Sequence, residues 1–272
     1  MGDFAANLAI SYEVGAARGD YSTLSAMDVN REEFFASFGQ TINDLIINHR
    51  ENLERRRQQK PSMSAFRKFV HPASPSAPKR RWADGTPEYS LHIYGLHSLF
   101  PQAQFIHVFR DVQAVVCSMI NFHRVAGIQL VANEEEAYRY WLRTVRGCLK
   151  AEEAFGPAVV YRVRYADIIS NPESTMRLLL GFLGEPYAAT CLEPLAHRIN
   201  SSEVPADFKS NDSGTDPSVI REAMRLCAEV EETPQPRDPS PAAVNELEAA
   251  FRERVKCIAP PWVSLAKTPA DN

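Results

Sequence analysis

Arg110 closes a short apolar run, and Ser118 follows it by eight residues, within FPQAQFIHVFRDVQAVVCSM, residues 100–119. Those residue types at that spacing can hold a phosphate. A strand-to-helix corner at the carboxyl edge of a parallel sheet is where α/β proteins bind ligands. A helix N-terminus turns unpaired N–H groups and the positive end of its dipole toward an anion. Arg110 can add a bidentate, charge-assisted contact to phosphate oxygens. Ser118, about two turns into the helix, can add a hydroxyl donor. The ordinary alternative is structural: Arg110 ion-paired to Asp111 or another nearby carboxylate, and Ser118 merely packed.

Elements must place these groups. QFIHVF (104–109) predicts a strand, and VQAVVCSMINF (112–122) a helix after it. AVVYRV (158–163) predicts a second buried strand. PESTMRLLLGFL (172–183) follows as a helix, with Gly184 as its stop. Strand, helices, strand, helix is the pattern of a parallel sheet with covering helices. Asn133 and Glu136 have capping-box spacing. They open a helix with Trp141, Val145, Cys148 and Leu149 on one side, ending near Gly156.

Upstream, Asn30 and Glu33 have the same capping spacing. Phe34, Phe38, Ile42, Leu45 and Ile46 then mark one helical face. That helix ends in the basic run RENLERRRQQK, read as a solvated end whose cations complement the dipole. Residues 1–28 offer only a weak apolar segment, 8–14, followed by GAARGDYSTL. Residues 60–80 carry Pro61, Pro72, Pro75 and Pro78 and read as a loop or linker. Thr86-Pro87, Asn171-Pro172, Asp216-Pro217 and Ser240-Pro241 each place a capping side chain before a first-turn proline. The first of these predicts a helix over 87–99. From about residue 201 the chain is polar, then helical on both sides of TPQPRDPSP. The organisation expected is a single domain over 1–272. It comprises a helix and proline-rich loop (29–80), a core (81–187) and a C-terminal helical region (201–272).

The 272 residues are 44% hydrophobic and 24% charged, enough to bury a large core. A net charge of −4 and a pI near 6.0 argue against a general nucleic-acid binder, so any anion site is local. Cys117, Cys148, Cys191, Cys227 and Cys257 are far apart and form no CxxC. Zinc and a disulfide framework are thus unsupported, no metal is expected, and buried reduced thiols are the expectation. No apolar run approaches the ~20 residues that span a membrane. MGDFAANLAI lacks a basic leader region, and Ala6 stands where a myristoylation motif takes Ser or Thr. A cytoplasmic protein without a membrane partner is the expectation. Oligomeric state is not legible.

The neighbours of the arginine corner sharpen its meaning. Ahead of it lies RWADGTPEYSLHIYGLHSLFP, and behind it YRVRYADIISNPESTMRLLLGFLGEPY. This order resembles the sulfotransferase family that uses 3′-phosphoadenosine 5′-phosphosulfate (PAPS). In that family a Trp-x-x-Lys-Thr-Pro segment leads into a helix ending at Phe-Pro. Next come a strand, Arg-Asp, and a serine after the arginine. A later strand ends in Tyr-Glu-Asp-Leu, and an x-Pro-Glu helix finishes in Phe-Leu-Gly. Here Phe100-Pro101, Arg110-Asp111, Ser118, Tyr165-Ala166-Asp167-Ile168, Asn171-Pro172-Glu173 and Phe182-Leu183-Gly184 stand in that order, over roughly 81–187. The resemblance implies a P-loop NTPase-like, three-layer α/β sandwich with a central parallel sheet and helix-rich termini. It implies that Arg110 and Ser118 bind the nucleotide 3′-phosphate and that Tyr165 contacts the adenosine end. PAPS would be the co-substrate, 3′-phosphoadenosine 5′-phosphate (PAP) the product, and a small molecule or glycan the acceptor.

The pattern breaks in two places. The family's glycine- and serine-rich loop for the 5′-phosphosulfate has no clear copy. VGAARGDYSTL (14–24) shares only Gly15, Arg18 and Thr23 with it, and a chain beginning downstream of the true loop is one explanation. Gly85 replaces the motif lysine that would stabilise charge on the leaving phosphate, and Lys79, Arg80 and Arg81 are merely close in sequence. Gly85 would serve a close backbone approach or a simple turn. A base for the acceptor could be Glu88, His92, His97 or His123, and none is selected. Three functions follow: a sulfuryl transferase; an impaired relative binding PAP or a protein partner; and a nucleotide kinase, weakened because no Gly-x-x-x-x-Gly-Lys-[Ser/Thr] occurs.

Overall fold

The computed structural model describes residues 1–16, 23–59, 81–196 and 212–260. They belong to two compact units: one of residues 1–89, 95–102 and 253–272, the other of residues 90–94 and 103–252.

The first unit begins with α1 (Gly2–Ala16), α2 (Thr23–Ala26) and α3 (Arg31–Gln59). The weak apolar signal at the start thus belongs to a full helix, which buries Ala5, Ala6, Leu8 and Ala9. Small side chains carry little hydrophobic contrast, which is why its period was faint. α3 starts as its capping box predicts, with the Glu33 N–H donating to Asn30 Oδ1 at 2.9 Å. Its buried stripe is displaced from the expected one. Phe35 and Gly39 are buried, whereas Phe38 and Leu45 are 41% and 67% exposed. Gly39 explains this: a Cβ there would lie 1.6 Å from the Leu99 carbonyl oxygen, so the backbones meet where only glycine fits. Trp82 donates its Nε1–H to Asn43 Oδ1 at 3.0 Å and packs edge-on against Phe100. The proline-rich loop and Lys79 and Arg80 lie outside the described residues.

The helix expected over 87–99 is divided into a 3-10 turn, Pro87–Leu91, and α4 (Ile93–Leu99). Near the end of the 3-10 turn the Ser90 carbonyl packs 2.7 Å from where a Cβ on Gly147 would stand. That close approach to another helix displaces the backbone, and a single regular helix does not form.

The second unit carries β1 (Phe105–Phe109), α5 (Val112–Ile120), α6 (Phe122–Ala126), α7 (Glu134–Phe155), β2 (Val160–Arg164), α8 (Tyr165–Ser170), α9 (Pro172–Leu183), α10 (Pro217–Glu232) and most of α11 (Pro241–Ile258). Both strands fall where the apolar runs predict them. They pair in parallel, Phe105 opposite Val160 through Phe109 opposite Arg164. The chain is therefore α/β around a small parallel sheet. Alternation puts His107 and Phe109 on a buried face and leaves Ile106 and Val108 41% and 53% exposed.

The main core joins α5, α7 and α10. Val112 and Val116 meet Tyr138, Trp141, Leu142 and Val145, with Val219, Ala223, Cys227 and Val230 closing over them. Asn133 Oδ1 accepts from Glu136 N, Asp216 accepts from Ser218 N, and Gly184 ends α9 at φ 69°, as read; Asn171 stands at the start of α9 without a side-chain capping bond, its amide donating to Ser170 Oγ instead. α5 stops sooner than expected, because the Asn121 side chain bonds back to the Cys117 carbonyl. All the cysteines are free. Cys117, Cys148 and Cys227 meet the expectation of buried thiols; Cys191 is half-buried and Cys257 is exposed.

Candidate functional site

The carboxyl ends of the paired strands lead directly to Arg110 and Tyr165. The β1–β2 register, carried one step on, sets these two residues side by side. The Arg110 guanidinium carbon lies 4.6 Å from the centroid of the Tyr165 ring. This stacking engages the flat face of the guanidinium and leaves its in-plane N–H donors available for a bidentate anion. Tyr165 is 38% exposed, so the pair opens to solvent.

Among the described residues Arg110 does not pair with Asp111 or another carboxylate. The Asp111 carboxylate is spent as the N-cap of α5, Oδ1 accepting from Ala114 N at 2.9 Å. Its other oxygen accepts from Cys227 Sγ at 3.8 Å. Among the described residues Arg110 has no carboxylate partner, whereas Arg164, at the end of the neighbouring strand, is paired to Asp167 at 2.8 Å. Trp141, anchored in the core against Phe109, donates its indole N–H to the Arg110 carbonyl at 3.4 Å and steadies the turn.

Ser118 is half-buried on α5, on the stripe that runs from Asp111 through Ala114. It lies about 9 Å further along the axis than Val112. The structure thus brings Arg110 and Tyr165 into contact, and Ser118 lies on the helix that starts beside them. Tyr165 opens α8 directly after β2 instead of ending the strand.

The candidate bases separate by environment. His123 is exposed and its Nδ1 pairs with the Ile120 carbonyl at 3.0 Å. His92 is buried. His97 is half-buried, and burial lowers its pKa, keeping it neutral near pH 7. Glu88 is exposed in the 3-10 turn. Beside it, Asp84 accepts from the Thr86 N–H at 3.0 Å, the Thr86 hydroxyl and the Tyr89 hydroxyl, and these bonds lower its pKa. Gly85 lies just ahead of the 3-10 turn, with open space where a Cβ would stand.

A sequence model described as the sulfotransferase family matches residues 18–189, more than half of the chain. The chain belongs to the sulfotransferase family. The matched segment includes Arg110, Ser118 and Tyr165. The omega-hydroxy-beta-dihydromenaquinone-9 sulfotransferases Stf3 of Mycobacterium bovis and Mycobacterium tuberculosis are each 31% identical to it over 136 residues. That alignment covers 46% of this chain and 33% of each relative, so the chain spans about a third of their length. Among solved structures, the sulfotransferase domain from the curacin biosynthetic pathway is 18% identical, covering 61% of this chain and 60% of its own, at a TM-score of 0.35. The sulfotransferase domain from the Synechococcus PCC 7002 olefin synthase is 20% identical, covering 61% and 56%, also at 0.35.

Sequence reasoning missed two contributors. Trp141 was read only as core. Glu152, fully buried on the apolar stripe of α7 that includes Trp141, Val145 and Cys148, was not singled out. A carboxylate on an apolar stripe was the available signal.

Proposed function

We propose that this chain transfers a sulfuryl group from PAPS to a hydroxyl or amine acceptor, with PAP as product. The observation that carries this is the Arg110–Tyr165 pair: a cation with no carboxylate partner among the described residues, stacked on an aromatic face, at the carboxyl edge of a parallel sheet and the start of a helix. That donor set suits a nucleotide phosphate. Arg110 would hold the 3′-phosphate with Ser118 adding its hydroxyl, and Tyr165 would lie at the adenosine end. When bound, PAPS supplies an activated sulfuryl group on a phosphate leaving group. The protein's part is to orient it and to exclude alternatives to in-line attack. The three-layer, P-loop NTPase-like sandwich belongs to the same proposal.

The acceptor is a small molecule or glycan. A hydroxyl on an apolar isoprenoid quinone is the first to try, by likeness to the named activity of the mycobacterial relatives. No helix of the described residues is long and apolar enough to cross a membrane. A cytoplasmic site of action is part of the proposal.

Calorimetry with PAP tests the nucleotide claim. Arg110→Ala is expected to weaken binding by about 1.5–3 kcal/mol, as for a hydrogen bond to a charged group. No heat from folded protein at millimolar PAP would sink the assignment. A second reading, a relative that binds PAP without transfer, is favoured by Gly85 and by the helical backbone that leads into VGAARGDYSTL. PAP binding with no transfer across an acceptor panel would select it.

A further inference from the structure

Behind the Arg110–Tyr165 pair, on the buried face of the sheet, three ionisable side chains meet. His107 of β1 and Arg162 of β2 are direct partners in the strand register. Glu152 reaches both from α7. Its Oε1 takes His107 Nδ1 and Arg162 Nε, and Oε2 takes Arg162 Nε at 2.9 Å and Nη2 at 2.5 Å. Against a carboxylate, Nδ1 is the protonated ring nitrogen. Glu152 is fully buried, and the side chains of His107 and Arg162 are 6% and 8% exposed. Burial raises the pKa of Glu152, but the bonds from His107 and Arg162 outweigh it and hold the carboxyl below its usual range.

The trio extends outward through Arg162. Its Nη1 donates to the Val230 and Thr233 carbonyls at 3.2 and 2.9 Å, at the end of α10. Its backbone N–H donates to Gln235 Oε1 at 2.9 Å, while Gln235 Nε2 donates to the Val160 carbonyl. One rung of the sheet is thereby tied to α7, α10 and the segment after α10.

Buried charges tolerate few arrangements, since an unpaired one is costly. A slip of β1 against β2 by one residue would turn His107 or Arg162 away from Glu152 and bury an unpaired group. The same slip would part Arg110 from Tyr165, three rungs on. We propose that His107, Glu152 and Arg162 act as positioning residues: they lock the β1–β2 register and so hold the Arg110 guanidinium over the Tyr165 ring in the geometry that reads phosphate. This rests on the nucleotide reading above for its purpose, but not for its geometry.

The test uses the full chain, with two signals. One is PAP affinity by calorimetry. The other needs no ligand: the NMR shift of the Arg110 Nε–Hε pair, displaced by the ring current of Tyr165, with Tyr165→Leu as the reference for its loss. His107→Leu removes the donor to Glu152; His107→Gln keeps one. In folded His107→Leu protein the Arg110 signal should move to the Tyr165→Leu position. PAP affinity should fall about tenfold or more, as for a charge-assisted hydrogen bond. His107→Gln should return the signal and bring affinity within about threefold of the parent. An unmoved Arg110 signal in folded His107→Leu protein overturns the proposal. So does a His107→Gln protein as impaired as His107→Leu. Should His107→Leu fail to fold, Glu152→Gln is judged by the same signals and outcomes. A parent chain that binds no PAP, with the Arg110 signal still governed by His107, rejects the nucleotide reading and keeps the positioning one.

Discussion

Arg110 and Arg164 close neighbouring strands, yet among the described residues only Arg164 is committed to a carboxylate. The difference lies in what the adjacent acids do. Asp111 caps a helix and bonds Cys227, whereas Asp167 faces back toward Arg164. A cation kept from its nearest acid is available to an anion, which is the residue-scale basis of the site. Gly85 makes a second argument at this scale. Nothing lies within 4 Å of the position its Cβ would take, so a side chain can begin there without a clash. Gly85→Lys should leave thermal stability within about 0.5 kcal/mol of the parent. If leaving-group charge limits the rate, it should raise transfer by up to about 100-fold, on the order of 3 kcal/mol for one donor. A steady-state assay with PAPS and a working acceptor checks this, and an unchanged rate would show that lysine is not the missing part. Cys148 is inert for a related reason: burial, with the nearby Glu152 charge, pushes its thiol up to about 12.

Two helices show how alike residues can hold opposite roles. Gly39 in α3 and Gly181 in α9 both interrupt helical patterns. At Gly39 a methyl would collide with the Leu99 carbonyl; at Gly181 it would meet nothing within 4 Å. Gly39→Ala should therefore destabilise the chain by about 1–3 kcal/mol or more through overpacking. Gly181→Ala should stabilise it by about 0.5–1 kcal/mol through helix propensity. Denaturant melts of the two proteins, side by side, give the comparison; equal midpoints would refute both assignments. The element boundaries tell the same story. Caps at Asn30, Asn133 and Asp216 were legible because a cap and its N–H lie within three residues. The division of the 87–99 segment was not, because it depends on Gly147, far along the chain.

Stability of the whole molecule against acid draws on the buried trio. The folded pKa of Glu152 is depressed. Its contribution is therefore complete above the unfolded value, about 4.3, and lost as pH falls through the lower folded value. Asp84, Glu135 and Asp216 are shifted the same way, but Asp84 and Asp216 are exposed and Glu135 only half-buried, so their contributions are screened. The melting temperature should thus drop more steeply below about pH 4.3 in the parent than in Glu152→Gln. Parallel curves for the two proteins would mean that Glu152 is not the group responsible.

Local chemistry in the sequence determined the strands, most helix ends, the parallel pairing and the place of Arg110 at a sheet edge. Each depends on residues within a turn or on strand order alone. The family pattern also lay in the linear order of short motifs. Tertiary structure decided which of the two arginines pairs with a described carboxylate, which face of α3 is buried, and that His107 and Arg162 share Glu152. Those contacts join residues 45 and 10 positions apart through a third element. Their energies come from burial and exact pairing of charges, which no local pattern encodes.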